Sequence, residues 1–484
     1  MLTETSPSWK ALLSPRGCIG TTETTVVKNG AHAPSLTLAA MSLGYGVVQL
    51  DVTIVNTSIG AIGESLGGSV SDLQWIVTAY TIAFAALILT GGALGDRLGA
   101  KRMFLAGFAT FTVASLACAL APNTIVLIIA RGIEGLGAAI LVPNSLALLN
   151  HTYSGEKSRG QAIAIWAAGA SFGLTAGPLV GGGLIAAFGW RSIFLVNLPL
   201  GAAGLLLTWR HAKETTRSPE RSLDLPAQAA AVAALGCLAA ALIGGGHAGW
   251  TEPLVMGGFT AFAGLTALFV IRERRTGQPM LPLALFRRRL FSLTTVVGLL
   301  VNIAFYGFIF VLSLYYQRVN QLSALATGLA FVPMMGAVLV ANIFAATLSE
   351  RLGTRHAIAI AATISAAGCG ALLGIQQGSG YWTMCAQLIA LGAGLGLLVP
   401  PLTSAQLGSV KKSQSGVAAG VLNSARQTGS VLGVALFGSL VTRNFVAGLH
   451  TSLVIATCLF AASAAAILLG APKWRGLYGN NGTR

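Results

Sequence analysis

Runs of about twenty apolar residues recur from one end of this 484-residue chain to the other, and a helix of that length crosses the hydrocarbon core of a bilayer. Strands of an outer-membrane barrel would instead show segments of about ten residues with alternating polarity, and these runs do not alternate. Composition agrees: 54% of residues are hydrophobic and 9% charged, against about 25% charged in a soluble domain. The reading is an all-α membrane protein with fourteen transmembrane helices. They fall near residues 36–62, 73–94, 102–121, 124–149, 160–187, 190–209, 225–246, 252–271, 290–316, 325–348, 356–375, 381–407, 414–442 and 448–470.

The net charge of +16 would suit a nucleic-acid partner if the charge were gathered on one soluble face. It is not. With both termini on one side of the membrane, the loops of that side hold nearly all the Lys and Arg. The other side has only Arg191, Arg318 and Arg443, and Arg131 and Arg426 fall inside helices. That asymmetry follows the positive-inside rule. It predicts an even number of spans, cytoplasmic termini and no nucleic-acid role. The polar stretch before the first span has no long apolar core, so no cleaved signal is expected. Six cysteines, Cys18, Cys118, Cys237, Cys369, Cys385 and Cys458, show no paired or metal-ligand spacing.

Internal repetition organises the chain. "GDRLGAKR" from Gly95 recurs as "SERLGTRH" from Ser349, an offset of 254. "LVPNSLALL" around Pro143 recurs as "LVPPLTSAQL" around Pro400, an offset of 257, and Gly173 and Gly177 map to Gly429 and Gly433 at 256. Residues 36–209 and 290–470 therefore read as two six-helix halves. Residues 1–35 and 471–484 are cytoplasmic tails, and 210–289 form a linker carrying the inserted helices 7 and 8. Repeated halves of this kind build transporters, with the substrate near mid-membrane between them.

Asp51 stands inside the apolar run "GVVQLDVTIVNTSIG" of helix 1. At about 100° per residue Ser58 shares its face, while Gln49, Thr53 and Asn56 form a second polar stripe roughly opposite. Facing the gap between the halves, Asp51 would be a proton or cation site. Facing helix 4 or another neighbour, it would be a hydrogen-bonded packing partner. The cost of burial favours the gap.

Arg131 and Glu134 share a face of helix 4, three residues apart. A charge at the bilayer centre costs roughly 2.5–3.5 kcal/mol on insertion scales, so it needs a partner or water. The pair either neutralises itself as structure, or holds a carboxylate that, balanced between burial and a fixed cation, can titrate as water access changes. The loop clusters Asp96, Arg97, Lys101 and Glu350, Arg351, Arg355 read as an ion-pair latch or as plain basic loops. Gly169, Gly173, Gly177 and Gly181 stripe helix 5 at a spacing that admits close helix packing, with Pro178 adding a kink. Gln49, Asn56, Asn423, Arg426 and Gln427 are candidates for a cavity or for inter-helix hydrogen bonds. Trp166, Phe305, Tyr306, Tyr315 and Tyr316 are candidates for aromatic cavity walls or for packing. Ser171 in "GASFG" fits a nucleophile elbow by letter only, because its context is helical. There is no phosphate-binding GxxxxGK[ST] and no HExxH. Enzyme chemistry, a metal and an ATP site are therefore not expected.

These motifs resemble those of the major facilitator superfamily: Gly92, Leu94, Asp96, Arg97, Gly99 and Lys101 match its helix 2–3 loop. "LDVTIVNTSIG" from Leu50, "ARGIEGLGAAILVP" from Ala130, "GASFGLTAGPLVGG" from Gly169, "GWRSIFLVNLPLG" from Gly189 and "GVAAGVLNSARQTGSVLG" from Gly416 are similar to motifs of its fourteen-span drug:H+ antiporters. The resemblance implies a major facilitator fold and export of small hydrophobic or cationic compounds driven by protons, with no cofactor, from the cytoplasmic membrane of a bacterium. It gives the helix 4 arginine a role in proton coupling and makes the helix 5 motif a mark of exporters. A dedicated exporter of one metabolite or self-made antibiotic remains an alternative, as does a non-transporting membrane sensor. Nothing in the chain sets the oligomeric state, and a monomer is compatible with it. Two positions depart from the pattern: Glu134, where Gln is usual, and Ala227, where Gly is common.

Overall fold

The computed structural model describes residues 33–217, 224–276, 279, 281–374, 381–411 and 414–471. Cys18, most of the N-terminal tail and most of the C-terminal tail lie outside them. The described residues form an all-helical bundle of fourteen long helices. In the first half these are α1 (Ala33–Leu66), α2 (Val70–Leu98), α3 (Ala100–Ala119), α4 (Thr124–Thr152), α5 (Glu156–Phe188) and α6 (Ser192–His211). Next come α7 (Leu225–His247) and α8 (Pro253–Arg275), then α9 (Arg289–Leu314), α10 (Ala324–Leu352), α11 (Thr354–Ala371), α12 (Tyr381–Gly408), α13 (Ser415–Leu440) and α14 (Phe445–Gly470). Thirteen are long and apolar enough to cross a membrane. The exception is α13, whose Asn423, Arg426 and Gln427 dilute its hydropathy.

Side-chain caps set several boundaries. Ser69 opens α2 with a capping box to Asp72, and Asn123, Asp224, Ser323 and Asn444 cap α4, α7, α10 and α14. Gly99 and Gly353 occupy the tight turns after α2 and α10 at φ 106° and 79°, a region that costs a side chain dearly. The two turns are 254 positions apart, so the sequence repeat is also a repeat of backbone conformation.

Two elements differ from expectation. The sixth span is broken into Ser192–Leu195 and Asn197–His211. Pro199 has no N–H to give the Leu195 carbonyl, so the ladder lapses there. The ninth span continues past its α-helical end as a π-helical turn, Tyr315–Val319.

Each half is built on a small-residue seam. Gly169, Gly173, Gly177 and Gly181 of α5 all face α1, against Ser42, the Gly46 carbonyl, Thr53 and Ile54. Gly429 and Gly433 of α13 face the α9 backbone at Leu299 and Ile303 in the same way. Between the halves, α7 packs on α2 and α13 through Val232, Leu235 and Ala239 against Ile82 and Val431. Its hairpin partner α8 is largely exposed.

Hydrogen bonds that join the halves run from mid-membrane to the face away from the basic loops. Gln317 of the π turn donates to the Thr57 carbonyl at 2.9 Å, and Ser313 donates to the Asn56 carbonyl at 2.5 Å. Gln74 of α2 donates to the carbonyls of Val434 and Ala435 at 3.0 and 2.8 Å. Nearer the middle, Asn342 meets Ser171 at 3.2 Å and Ser424 donates to the Ala85 carbonyl at 2.7 Å.

Candidate functional site

Five helices of the first half converge on one buried charge cluster. Arg131 of α4 is the centre: its Nη1 donates to Asp51 Oδ2 of α1 at 2.6 Å and to Glu134 Oε2 at 2.6 Å. Its Nε donates to the Ile76 carbonyl of α2 at 3.3 Å, and its guanidinium lies 4.3 Å from the centroid of the Tyr80 ring. Asp51, Arg131 and Glu134 are 0%, 1% and 0% exposed, so the cluster is sealed from solvent.

The sequence reading missed the residues that complete it. Asn197, just past the break in α6, donates to Asp51 Oδ1 at 3.4 Å and to Ser115 Oγ of α3 at 2.8 Å. Ser115 in turn donates to Glu134, and the Cys118 thiol donates to Glu134 Oε2 at 3.5 Å. Asn197 was visible as a lone polar residue in the quoted "GWRSIFLVNLPLG" run. Ser115 and Cys118 carried no such signal, being small residues that suit an apolar helix.

The geometry corrects one expectation. Asp51 does not face the gap between the halves. It points into the first half, toward α4 and α6. A buried carboxylate needs a counter-charge, and Arg131 supplies it there. The opposite stripe turns toward the seams instead: Thr53 packs on Gly177, and the Asn56 backbone accepts from Ser313 of α9. Asn56 is 2% exposed and sits in that closed seam rather than in an open cavity; Gln49 is also buried.

Electrically, the cluster holds two carboxylates and one guanidinium. With both acids ionised it carries one net negative charge in a low-dielectric interior. One proton makes it neutral. Gain or loss of one proton there would change the charge of a packed junction between α1, α3, α4 and α6.

A second polar group lies between the halves. Arg426 of α13 is half-buried near the middle of its helix; its Cγ is 3.6 Å from where a Cβ on Gly298 of α9 would lie, and Ser424 of the same helix donates to the Ala85 carbonyl of α2 at 2.7 Å. Tyr45 stacks on Trp166 of α5 with centroids 4.4 Å apart and planes at 20°, and Trp166 donates to Ser145 Oγ at 3.0 Å. Asn423 is half-buried and Gln427 nearly buried on the same helix. Phe305 and Tyr306 form an edge pair of α9. Tyr315 and Tyr316, by contrast, are packed against Phe445 and Phe331 in the closed region.

Residues of the loop clusters tie helix ends together. Lys101 and Arg102 donate their backbone N–H groups to Glu214, just past α6, at 2.8 and 3.2 Å, and Lys101 Nζ donates to the Trp209 carbonyl at 2.9 Å. In the second half Arg355 donates to the Leu468 carbonyl at the end of α14. Glu214 and Leu468 are 254 positions apart, so each half ties the start of its third helix to the end of its sixth. Arg97, Glu350 and Arg351 are exposed and Asp96 is half-buried. Among the described residues no group of His, Cys, Asp and Glu is arranged to hold a metal.

Residues 41–434 match the family described as the Major Facilitator Superfamily. The chain is 36% identical over 401 residues to a methylenomycin A resistance protein of Streptomyces coelicolor, covering 83% of this chain and 84% of that one. It is 37% identical over 413 residues to the multidrug resistance protein Stp of Mycobacterium tuberculosis, covering 84% and 75%. Among solved structures it superposes on the human organic anion transporter MFSD10 with a TM-score of 0.64 at 19% identity, covering 90% and 99%. At that identity the likeness is one of fold.

Proposed function

The chain belongs to the major facilitator superfamily, and from that premise we propose that it is a fourteen-span drug:proton antiporter. It exports small, largely apolar compounds such as antibiotics through a multi-pass membrane bundle. Relatives named for methylenomycin, multidrug and tetracenomycin C resistance support export. The basic loops support a cytoplasmic membrane location with both termini inside.

The observation that carries proton coupling is the sealed cluster of Asp51, Glu134 and Arg131. Its unequal acids and base give it a proton-dependent charge, and it joins α1 to α4. Asn56 and Thr57, which meet the other half, lie five and six residues further along α1, about 8 Å at 1.5 Å per residue. A change in the charge at Asp51 is thus delivered to the helix that closes the face away from the basic loops. In this scheme, opening that face admits water and a proton to the cluster. Turning back toward the cytoplasm releases the proton and takes up substrate. Each charge moved is worth about 2.3 kcal/mol per 100 mV of membrane potential, which drives export uphill together with the pH gradient.

A purely structural cluster is the second reading, favoured by the inward aim of Asp51. The Asp51→Asn variant separates the two. If the cluster couples protons, the variant folds and expresses near normally but no longer confers resistance on an efflux-deficient host. A structural cluster predicts lost expression, or resistance unchanged in a folded variant.

A further inference from the structure

Resting on the exporter reading, we propose that the gap between the halves is a binding site for apolar aromatic compounds bearing an acidic group, with Arg426 as their counter-ion. Three observations carry it. Arg426 is a half-buried guanidinium near the middle of α13, and among the described residues it makes no ion pair. A cation at that depth needs water or an anion beside it. A Cβ on Gly298 of α9 would lie 3.6 Å from the Arg426 Cγ, and Ser424, two positions earlier on α13, donates to the Ala85 carbonyl of the first half at 2.7 Å, which sets this part of α13 at the seam between the halves.

The second observation concerns the acids. Asp51 and Glu134, the carboxylates in the membrane interior of the first half, are both fully buried and both bonded to Arg131. A cationic compound in the gap therefore meets no free carboxylate from them, whereas an anionic one meets a free guanidinium. Third, the Tyr45–Trp166 stack of the first half gives a flat aromatic surface to an apolar body, and the planar guanidinium matches a carboxylate with two parallel hydrogen bonds. The substrate class that fits is a carboxylate or similarly acidic head on a flat apolar scaffold.

The test uses three compounds on one scaffold: 1-naphthylacetate, 1-naphthylacetamide and 1-(2-aminoethyl)naphthalene. Binding to the full-length protein in detergent is read by calorimetry and by quenching of tryptophan fluorescence, and proton flux is read in proteoliposomes. We expect the acid to bind at least tenfold more tightly than the amide or the amine, as loss of a charged hydrogen-bonding partner implies. Arg426→Gln should remove that preference, while Arg426→Lys retains a preference for the acid.

Equal or stronger binding of the amine or the amide to the unsubstituted protein overturns the proposal. So does acid binding that is absent, or unchanged in Arg426→Gln with its thermal unfolding intact. If Arg426→Gln fails to fold, the ranking of the three compounds by the unsubstituted protein still decides. Failure of the exporter reading looks different: acid-selective, Arg426-dependent binding with no proton flux from any compound leaves this site standing and removes export.

Discussion

At the residue scale, the cluster around Arg131 shows why a single orientation matters. Helix 1 offers two polar stripes, and periodicity says only that they are opposed. Their directions depend on where α4 and α5 lie, which is tertiary information. The cost of burial was a sound reason to single out Asp51, but the same cost is met by a partner inside one half, and that is what the fold provides. Replacing Arg131 by Met leaves two buried acids with no counter-charge. It should destabilise the protein by about 3–5 kcal/mol, readable as a lower thermal unfolding temperature in detergent. Glu134→Gln keeps the Asp51–Arg131 pair and should fold normally. If Glu134 shares the proton, the pH dependence of transport shifts; an unchanged pH profile assigns Glu134 to structure alone.

At the element scale, more was legible. The glycines of α5 announced a close helix contact by their spacing, and the structure supplies the partner, α1. A Cβ at Gly173 would collide with the Gly46 carbonyl, which belongs to backbone and cannot swing aside. Gly173→Val should therefore cost about 1–3 kcal/mol, the usual range for overpacking. Gly183 in the same helix has open space around it, so Gly183→Ala should unfold at the parent temperature; a matching loss at both positions would contradict the seam. The ties between third and sixth helices were hidden. Glu214 is an ordinary acid in a basic loop, and only the fold brings it to the start of α3.

At the scale of the whole molecule, the repeat of about 255 residues reappears as paired turns, seams and ties, because each half solves the same packing problem with the same small residues. The seam between halves could not be read from the sequence, since it depends on which state the bundle adopts. Here α1 and the π turn after α9 meet at Gly60 and Gln317, where a Cβ on Gly60 would lie 3.0 Å from the Gln317 Cβ. A Gly60→Cys, Gln317→Cys pair, in a background without the native cysteines, should form a disulfide on oxidation. Transport should then stop and return on reduction. Unimpaired transport in the oxidised protein would mean that this seam need not open.

The central claim is that protons move through the Asp51–Glu134–Arg131 cluster in exchange for substrate. Its most direct test is substrate-driven proton flux in proteoliposomes, measured with an internal pH dye, for the unsubstituted chain and for Asp51→Asn. The prediction is a flux that appears with transported compounds and vanishes in the folded Asp51→Asn protein. Equal flux in the two proteins would contradict it.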